Sequence, residues 1–217
     1  MSRLAHDEYE LFLDCIRELH TFRDLPSLRS WLLDTALPRL IPSDWLSYNE
    51  VDLLHPENTL AILKPESNTI FQQLFPRFQE VAHQHPLILR QLQSADFPVQ
   101  KISDFLTQEA YHQLELYQDV YRHMGVEYQM SATIKLEPDR VTAIALSRRQ
   151  EDFTERDRAV LEMLRPQLVI AFNHLAIASE RPNPLEAGTD VVEDASVRVD
   201  DDRRGGKLLQ RQPGAVK

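Results

Sequence analysis

A single glycine, Gly125, serves the first 178 residues of this 217-residue chain; the other four, Gly188, Gly205, Gly206 and Gly214, all fall after Ala178. Glycine-rich phosphate cradles need positive φ and close backbone approach, so the body has no means of building a P-loop or a dinucleotide fingerprint. It must be made of helices and strands joined by turns that other residues tolerate. Every Trp, Tyr and Phe lies in that body, whereas Ser179 to Lys217 has no aromatic residue and eight acids against seven bases. Residues 1–178 are enough for one ordinary domain with its own core. Residues 179–217 lack the large apolar side chains that offset ordering entropy, and are expected to be a disordered tail.

Nearly all of the formal net charge of -10 sits in the body. Phosphate contacts need clustered Lys and Arg, so direct, specific DNA binding is not expected of it. Arg203, Arg204, Lys207, Arg211 and Lys217 follow the acidic run Asp200 to Asp202 and read as a solvated end. Cys15 is the sole cysteine, which excludes an internal disulfide and a multi-thiolate metal site. Acids interrupt every apolar run of MSRLAHDEYELFLDC, and no 18-residue apolar stretch follows. The expectation is a cytoplasmic chain with no signal peptide and no membrane span.

Tyr9, Phe12, Leu13, Ile16 and Leu19 recur at helical spacing, and a second helix follows Asp24, its N-cap, with Pro26 in the first turn. Asp44 to Val51 and Thr59 to Lys64 read as a hairpin around HPEN. Asn68 to Leu92 and Ser103 to His123 read as helical, with SADFPVQKI between them a loop or short edge strand. Val126 to Leu136 alternates apolar and polar residues, and Val141 to Arg149 pairs with it across Glu137-Pro-Asp-Arg. Thr154 caps the last helix with Asp157 at the capping-box position, and Pro166 is expected to kink it. The order of elements predicts an antiparallel sheet with helices packed on it.

The segments SYNEV (Ser47 to Val51), HPL (His85 to Leu87), ISDFLT (Ile102 to Thr107), LYQDVYRHMGVEYQM (Leu116 to Met130), ALSR (Ala145 to Arg148) and DFTERDRAVLEMLRPQL (Asp152 to Leu168) occur in an order that resembles a known family. The chain is similar, over roughly Tyr9 to Ala178, to the N-terminal GAF-like sensor region of LuxR-type helix-turn-helix transcriptional regulators. Gln167 stands where such blocks commonly carry His. The resemblance implies an α+β fold, a GAF-like antiparallel sheet with helices on both faces and the first and last helices packed together. It implies signal sensing through an unidentified small-molecule ligand, without catalysis, metal or cofactor. The family's DNA-binding domain should follow the last helix, but residues 179–217 offer too few large apolar residues to build one. A stand-alone sensor and a truncated regulator remnant are both compatible with that.

Gln129, Ser131 and Thr133 form the polar face of their strand and can meet either water or a partly polar cavity. With the fold the resemblance implies, His85, Phe105, Tyr111, Tyr117 and Tyr121 roof that face, and Tyr48 and Glu50 join from the first hairpin. These ten residues make a candidate ligand pocket, or else the aromatics make a second core. Glu109-x-x-His112 is half of a di-metal helical motif and carries the competing reading, a metal-dependent or acid/base enzyme; only one copy is present. His83-x-His85 lies beside Pro86 and reads as solvated or carbonyl-bonded. Met163, Val169, Ile170 and Ile177 widen the last helix's apolar surface beyond one stripe, and Tyr9, Phe12 and Ile16 can share it. These seven predict a homodimer built from the first and last helices.

Overall fold

The computed structural model describes residues 5–52, 54–55, 58–65, 69–91, 98–137 and 140–180. The tail from Arg181, the Asn68 helix start, Pro56 and Glu57 of HPEN, Ser94 to Phe97 of SADFPVQKI, and the turn residues Pro138 and Asp139 lie outside the described residues.

Five strands, β1 (Trp45–Asp52), β2 (Leu60–Lys64), β3 (Gln100–Lys101), β4 (Tyr128–Leu136) and β5 (Arg140–Arg148), form one antiparallel sheet in the order β2-β1-β5-β4-β3. On one face lie α1 (His6–Leu19), α2 (Leu25–Trp31), α3 (Leu37–Leu40) and the long α8 (Glu155–Glu180). The other face is covered by α4 (Ile70–Val81), α5 (Pro86–Gln91), α6 (Gln108–His112) and α7 (Arg122–Met124). This is the expected GAF-like α+β layering. Each face has its own core: Leu46, Tyr48, Met130, Ala132, Ile144 and Leu146 meet the α1/α8 layer, whereas Trp45 and Val126 belong with Val81, Tyr111, Val120 and Met124. Val126, read with the first face, therefore lies on the second, because it precedes the strand and its alternation.

Local chemistry explains the boundaries. Asp24 accepts the Ser27 N–H at 2.8 Å and starts α2. Thr154 Oγ1 accepts the Asp157 N–H while Asp157 Oδ2 accepts the Thr154 N–H at 3.0 Å, the reciprocal box that starts α8. Gly125 ends α7 at φ 70°, where a Cβ would sit 2.7 Å from Arg149 Nε. The body's only glycine thus occupies a left-handed cap. The long segments 68–92 and 103–123 are not continuous helices: a 3-10 turn and His85-Pro86 separate α4 from α5, and a π turn (Tyr117–Tyr121) leads into α7. α8 continues as helix through Pro166, whose ring faces outward at an exposed position.

The DFTERDR block is a junction. Asp152 takes the Ser103 hydroxyl at 2.6 Å, Arg156 bridges Glu8 of α1 and the Leu40 carbonyl, Asp157 pairs with Arg148 at 3.0 Å and Arg158 pairs with Asp104 at 2.6 Å. Burial would raise the Asp157 carboxyl, but the Thr154 N–H, Arg148 and Arg156 outweigh it and hold the group below the usual carboxylate range. Through Arg156–Glu8 and His20–Gln167, α1 and α8 are packed together.

Candidate functional site

The second face of the sheet is not fully filled. Between it and α4, α5 and the π turn lies a cavity of about 100 Å³. Its floor comes from alternate residues of four strands: Ser47 and Asn49 of β1, Ala61 of β2, Gln129 and Ser131 of β4, Ala143, Ala145 and Ser147 of β5. Its roof is Phe71, Phe75 and Phe78 of α4, with His85, Leu87 and Tyr121. The pairing register sets the floor: Trp45, Ser147 and Gln129 align in one row, Ser47, Ala145 and Ser131 in the next.

Gln129 Nε2 donates to Ser147 Oγ at 3.1 Å, and Asn49 Nδ2 donates to Ser47 Oγ at 2.9 Å. Gln129 is 6% exposed, and its Oε1 has no hydrogen-bond partner among the described residues. His85 and Tyr121 lie near enough to Gln129 to have their protonation biased by it, but neither contact has hydrogen-bond geometry. The Leu87 N–H donates to His85 Nδ1 at 3.2 Å, which places the neutral ring's proton on Nε2. Burial lowers the His85 pKa to about 4, and the Gln129 side chain opposes that shift without cancelling it. Burial likewise raises the Tyr121 phenol well above its ordinary range. The site is therefore uncharged at neutral pH.

Of the ten candidate residues, His85, Tyr121, Gln129 and Ser131 line this cavity. Thr133 is buried on the same sheet face but does not reach the lining. Phe105 packs in the second core under the Arg90 guanidinium, and Tyr111 is buried there with its hydroxyl on the Val126 carbonyl. Tyr117 donates to Glu127 Oε1 at 2.6 Å and stacks on His112; burial, then Glu127, pushes its pKa up to about 12. Tyr48 and Glu50 are corrections, because they point to the opposite face: Tyr48 stacks on Phe172 of α8 and donates to Glu50, which pairs with Arg29.

The cause of the error is a bulge between Thr133 and Lys135, which changes the β4–β5 pairing from Lys135↔Thr142 to Thr133↔Ala143. One extra residue puts the odd positions of β4, β5 and β1 on one face. The cavity residues that sequence reasoning missed, Ser47, Asn49, Ser147 and the three phenylalanines, carry one faint signal: the small polar residues flanking Tyr48 in SYNEV.

The Glu109 and His112 pair separates chemically. His112 Nε2 is 2.8 Å from Glu127 Oε2, which also accepts from Gln108, while Tyr117 holds Oε1, and no group of three metal-ligating side chains occurs among the described residues. His83 Nδ1 sits on the Glu80 carbonyl. Of the seven dimer candidates, Phe12 is a correction, since it is 7% exposed in the first core. Ile16 and Val169 also pack against that core, while Tyr9, Met163, Ile170 and Ile177 are exposed. No described helix is long and apolar enough to cross a membrane.

No protein-family model matches the chain, and no curated protein matches it in sequence. Solved structures do resemble it. The VqsR LBD domain from Pseudomonas aeruginosa aligns at 16% identity and a TM-score of 0.55, over 78% of this chain and 96% of that one. The N-acylhomoserine lactone dependent LuxR family transcription factor CepR2 from Burkholderia cenocepacia aligns at 14% identity and 0.55, over 82% of this chain and 100% of that one. Escherichia coli SdiA aligns at 9% identity and 0.54, over 77% of this chain and 68% of that one. The chain shares the fold of LuxR-type ligand-binding domains.

Proposed function

We propose that residues 5–180 form a non-catalytic sensory domain in which a small molecule in the cavity alters how α1 and α8 engage a second copy. One observation carries the reading: the buried Gln129 carbonyl oxygen, unpartnered among the described residues on a face roofed by aromatic rings. Core packing gains nothing from an unsatisfied acceptor, whereas a site that orients a ligand needs one. The shared fold with ligand-binding domains supports the same reading. We place the domain in the cytoplasm as the sensing part of transcription regulation, with DNA contact made by a separate domain or partner.

The homodimer is part of this proposal. Met163, Ile170 and Ile177 recur every seven residues along α8, the last two 56% and 57% exposed, and Tyr9 and Leu13 are exposed on α1. A stripe at that spacing matches the seam of paired helices, and an isologous contact covers it with itself. Native mass spectrometry of the protein purified from its own host tests the sensor reading. The expected result is a retained small molecule that is lost when Ala145→Phe fills the cavity. Protein that leaves the host free of ligand removes the reading.

A further inference from the structure

We infer that the cavity selects a small uncharged molecule, a single aromatic ring bearing an N–H or O–H donor that Gln129 Oε1 receives. This rests on the sensor reading of the cavity and adds the chemistry of its occupant.

Charge is the first discriminator. No Asp, Glu, Lys or Arg lines the cavity among the described residues. The charged groups of the surrounding elements are committed elsewhere: Glu50 to Arg29 on the far face, and Arg77 of α4 to Glu80, Glu115 and Asp119. His85, the lining's titratable nitrogen, is neutral at pH 7 because of its burial. A carboxylate or ammonium entering here gives up its hydration and gains no countercharge, which costs far more than a neutral amide or hydroxyl loses.

Hydrogen bonding is the second. Gln129 Nε2 is taken up by Ser147 Oγ, and Oε1 is the end of the amide without a partner among the described residues. A carbonyl oxygen accepts and cannot donate, so its partner must bring the hydrogen. The neighbouring His85 carries its proton on Nε2 and lies beside the Gln129 side chain. Size and wall chemistry are the third. Phe71 meets Phe75 edge-on at 5.5 Å, Phe75 stacks on Phe78 at 6.3 Å and Phe78 leans on Tyr121 at 6.3 Å. Such a wall favours another ring by offset or edge contacts. A cavity of about 150 Å³ holds benzene, and at about 100 Å³ this one is smaller, which makes a single ring its upper limit. A long acyl chain exceeds it.

Titration of the full chain with benzamide, benzoate, benzylamine and cyclohexanecarboxamide at pH 7, followed by amide NMR shifts of Gln129, Ser131 and Ser147, tests the inference. Benzamide is expected to bind at least about tenfold more tightly than the carboxylate or the ammonium, and more tightly than its saturated analogue. Gln129→Met keeps the side-chain volume and removes the acceptor, so it should cut benzamide affinity about tenfold. Benzoate or benzylamine binding as well as benzamide overturns the inference while the cavity remains a ligand site. Unchanged benzamide affinity in Gln129→Met overturns the role of Oε1. If no probe at millimolar concentration moves a cavity resonance, the inference falls, and the host-purified mass measurement decides the sensor reading separately.

Discussion

Acidification from pH 7 to pH 5 probes the cavity through His85. The ring is 5% exposed, accepts the Leu87 N–H on Nδ1 and faces uncharged walls, so protonation places a cation in a site with no countercharge and removes the acceptor. Burial lowers its pKa from 6.5 to about 4, outweighing the nearby Gln129, which favours the charged form. The unfolded imidazole binds a proton below about 6.5 and the native ring only near 4, so the contribution of neutral His85 is full above the higher value. It is lost as the pH falls between the two, in total about 3 kcal/mol, of which about 2 kcal/mol disappears between pH 7 and pH 5. Asp157, Asp104 and Glu127 are held below the usual carboxylate range, burial notwithstanding, by Thr154 and Arg148, by Arg158, and by Tyr117 and His112; they stay ionised in this window. Urea unfolding of wild type and His85→Gln at pH 7, 6 and 5, read by Trp31 and Trp45 fluorescence, isolates the term. The stability difference between the two proteins should shift by about 2 kcal/mol toward the variant as the pH falls. Parallel curves would refute the reasoning, since His85 would then titrate as if in water.

Other perturbations reach different links of the same argument. Gln129→Met removes a buried unsatisfied acceptor worth about 1–3 kcal/mol of penalty and one hydrogen bond worth about 1 kcal/mol, so the ligand-free melting temperature should hold or rise by a few degrees. A fall of more than about 5 °C would mean that Oε1 is satisfied by the fold itself. Asp157→Ala removes the α8 cap and strands the half-buried Arg148, at a cost of about 3 kcal/mol in denaturant melts. Gly125→Ala forces an L side chain to φ 70°, and Arg149 is flexible enough to move aside, so the loss should stay near 1–2 kcal/mol. Replacing Ile170 and Ile177 with Glu should leave folding intact and turn a dimer into a monomer by light scattering; a wild type already monomeric at micromolar concentration refutes the seam.

What the sequence made legible follows the range of the interactions involved. The start of α8 depends on Thr154 and Asp157, three residues apart, and was readable because both partners of the box lie in one turn. The β1–β2 and β4–β5 hairpins were readable for the same reason. The expectation that the polar face of β4 would be roofed came from the fold the chain resembles, and the roof is there. What was misread was parity: a bulge between Thr133 and Lys135 changes which residues of β5, and through β5 of β1, share a face with Gln129. The alternation of β1 and β5, with Leu46, Tyr48, Ile144 and Leu146 set against Ser47, Asn49 and Ser147, carries that parity, and placing Tyr48 and Glu50 beside Gln129 runs against it. The helical segments failed for a different reason, because His85-Pro86 and the π turn at Tyr117–Tyr121 answer to packing over the sheet and leave no periodicity of their own.

The two faces of the sheet, compared residue by residue, give the strongest reason to look for a ligand. Both are covered by helices, and burial alone would favour apolar side chains on both. The face toward α1 and α8 follows that rule with Leu46, Tyr48, Met130, Ala132, Ile144 and Leu146. The face toward α4 to α7 carries Gln129, Ser131 and Ser147, buried, and Ser47 and Asn49, half-buried, in the same strands. A Val or Leu at the buried positions 129, 131 and 147 would each contribute about 1.5–3 kcal/mol of burial that the polar residues forgo. Their mutual bonds, Gln129 to Ser147 and Asn49 to Ser47, recover only part of that and still leave Oε1 unpaired among the described residues. Around the cavity stability is thus given up in a pattern that fits recognition of a molecule able to complete those bonds.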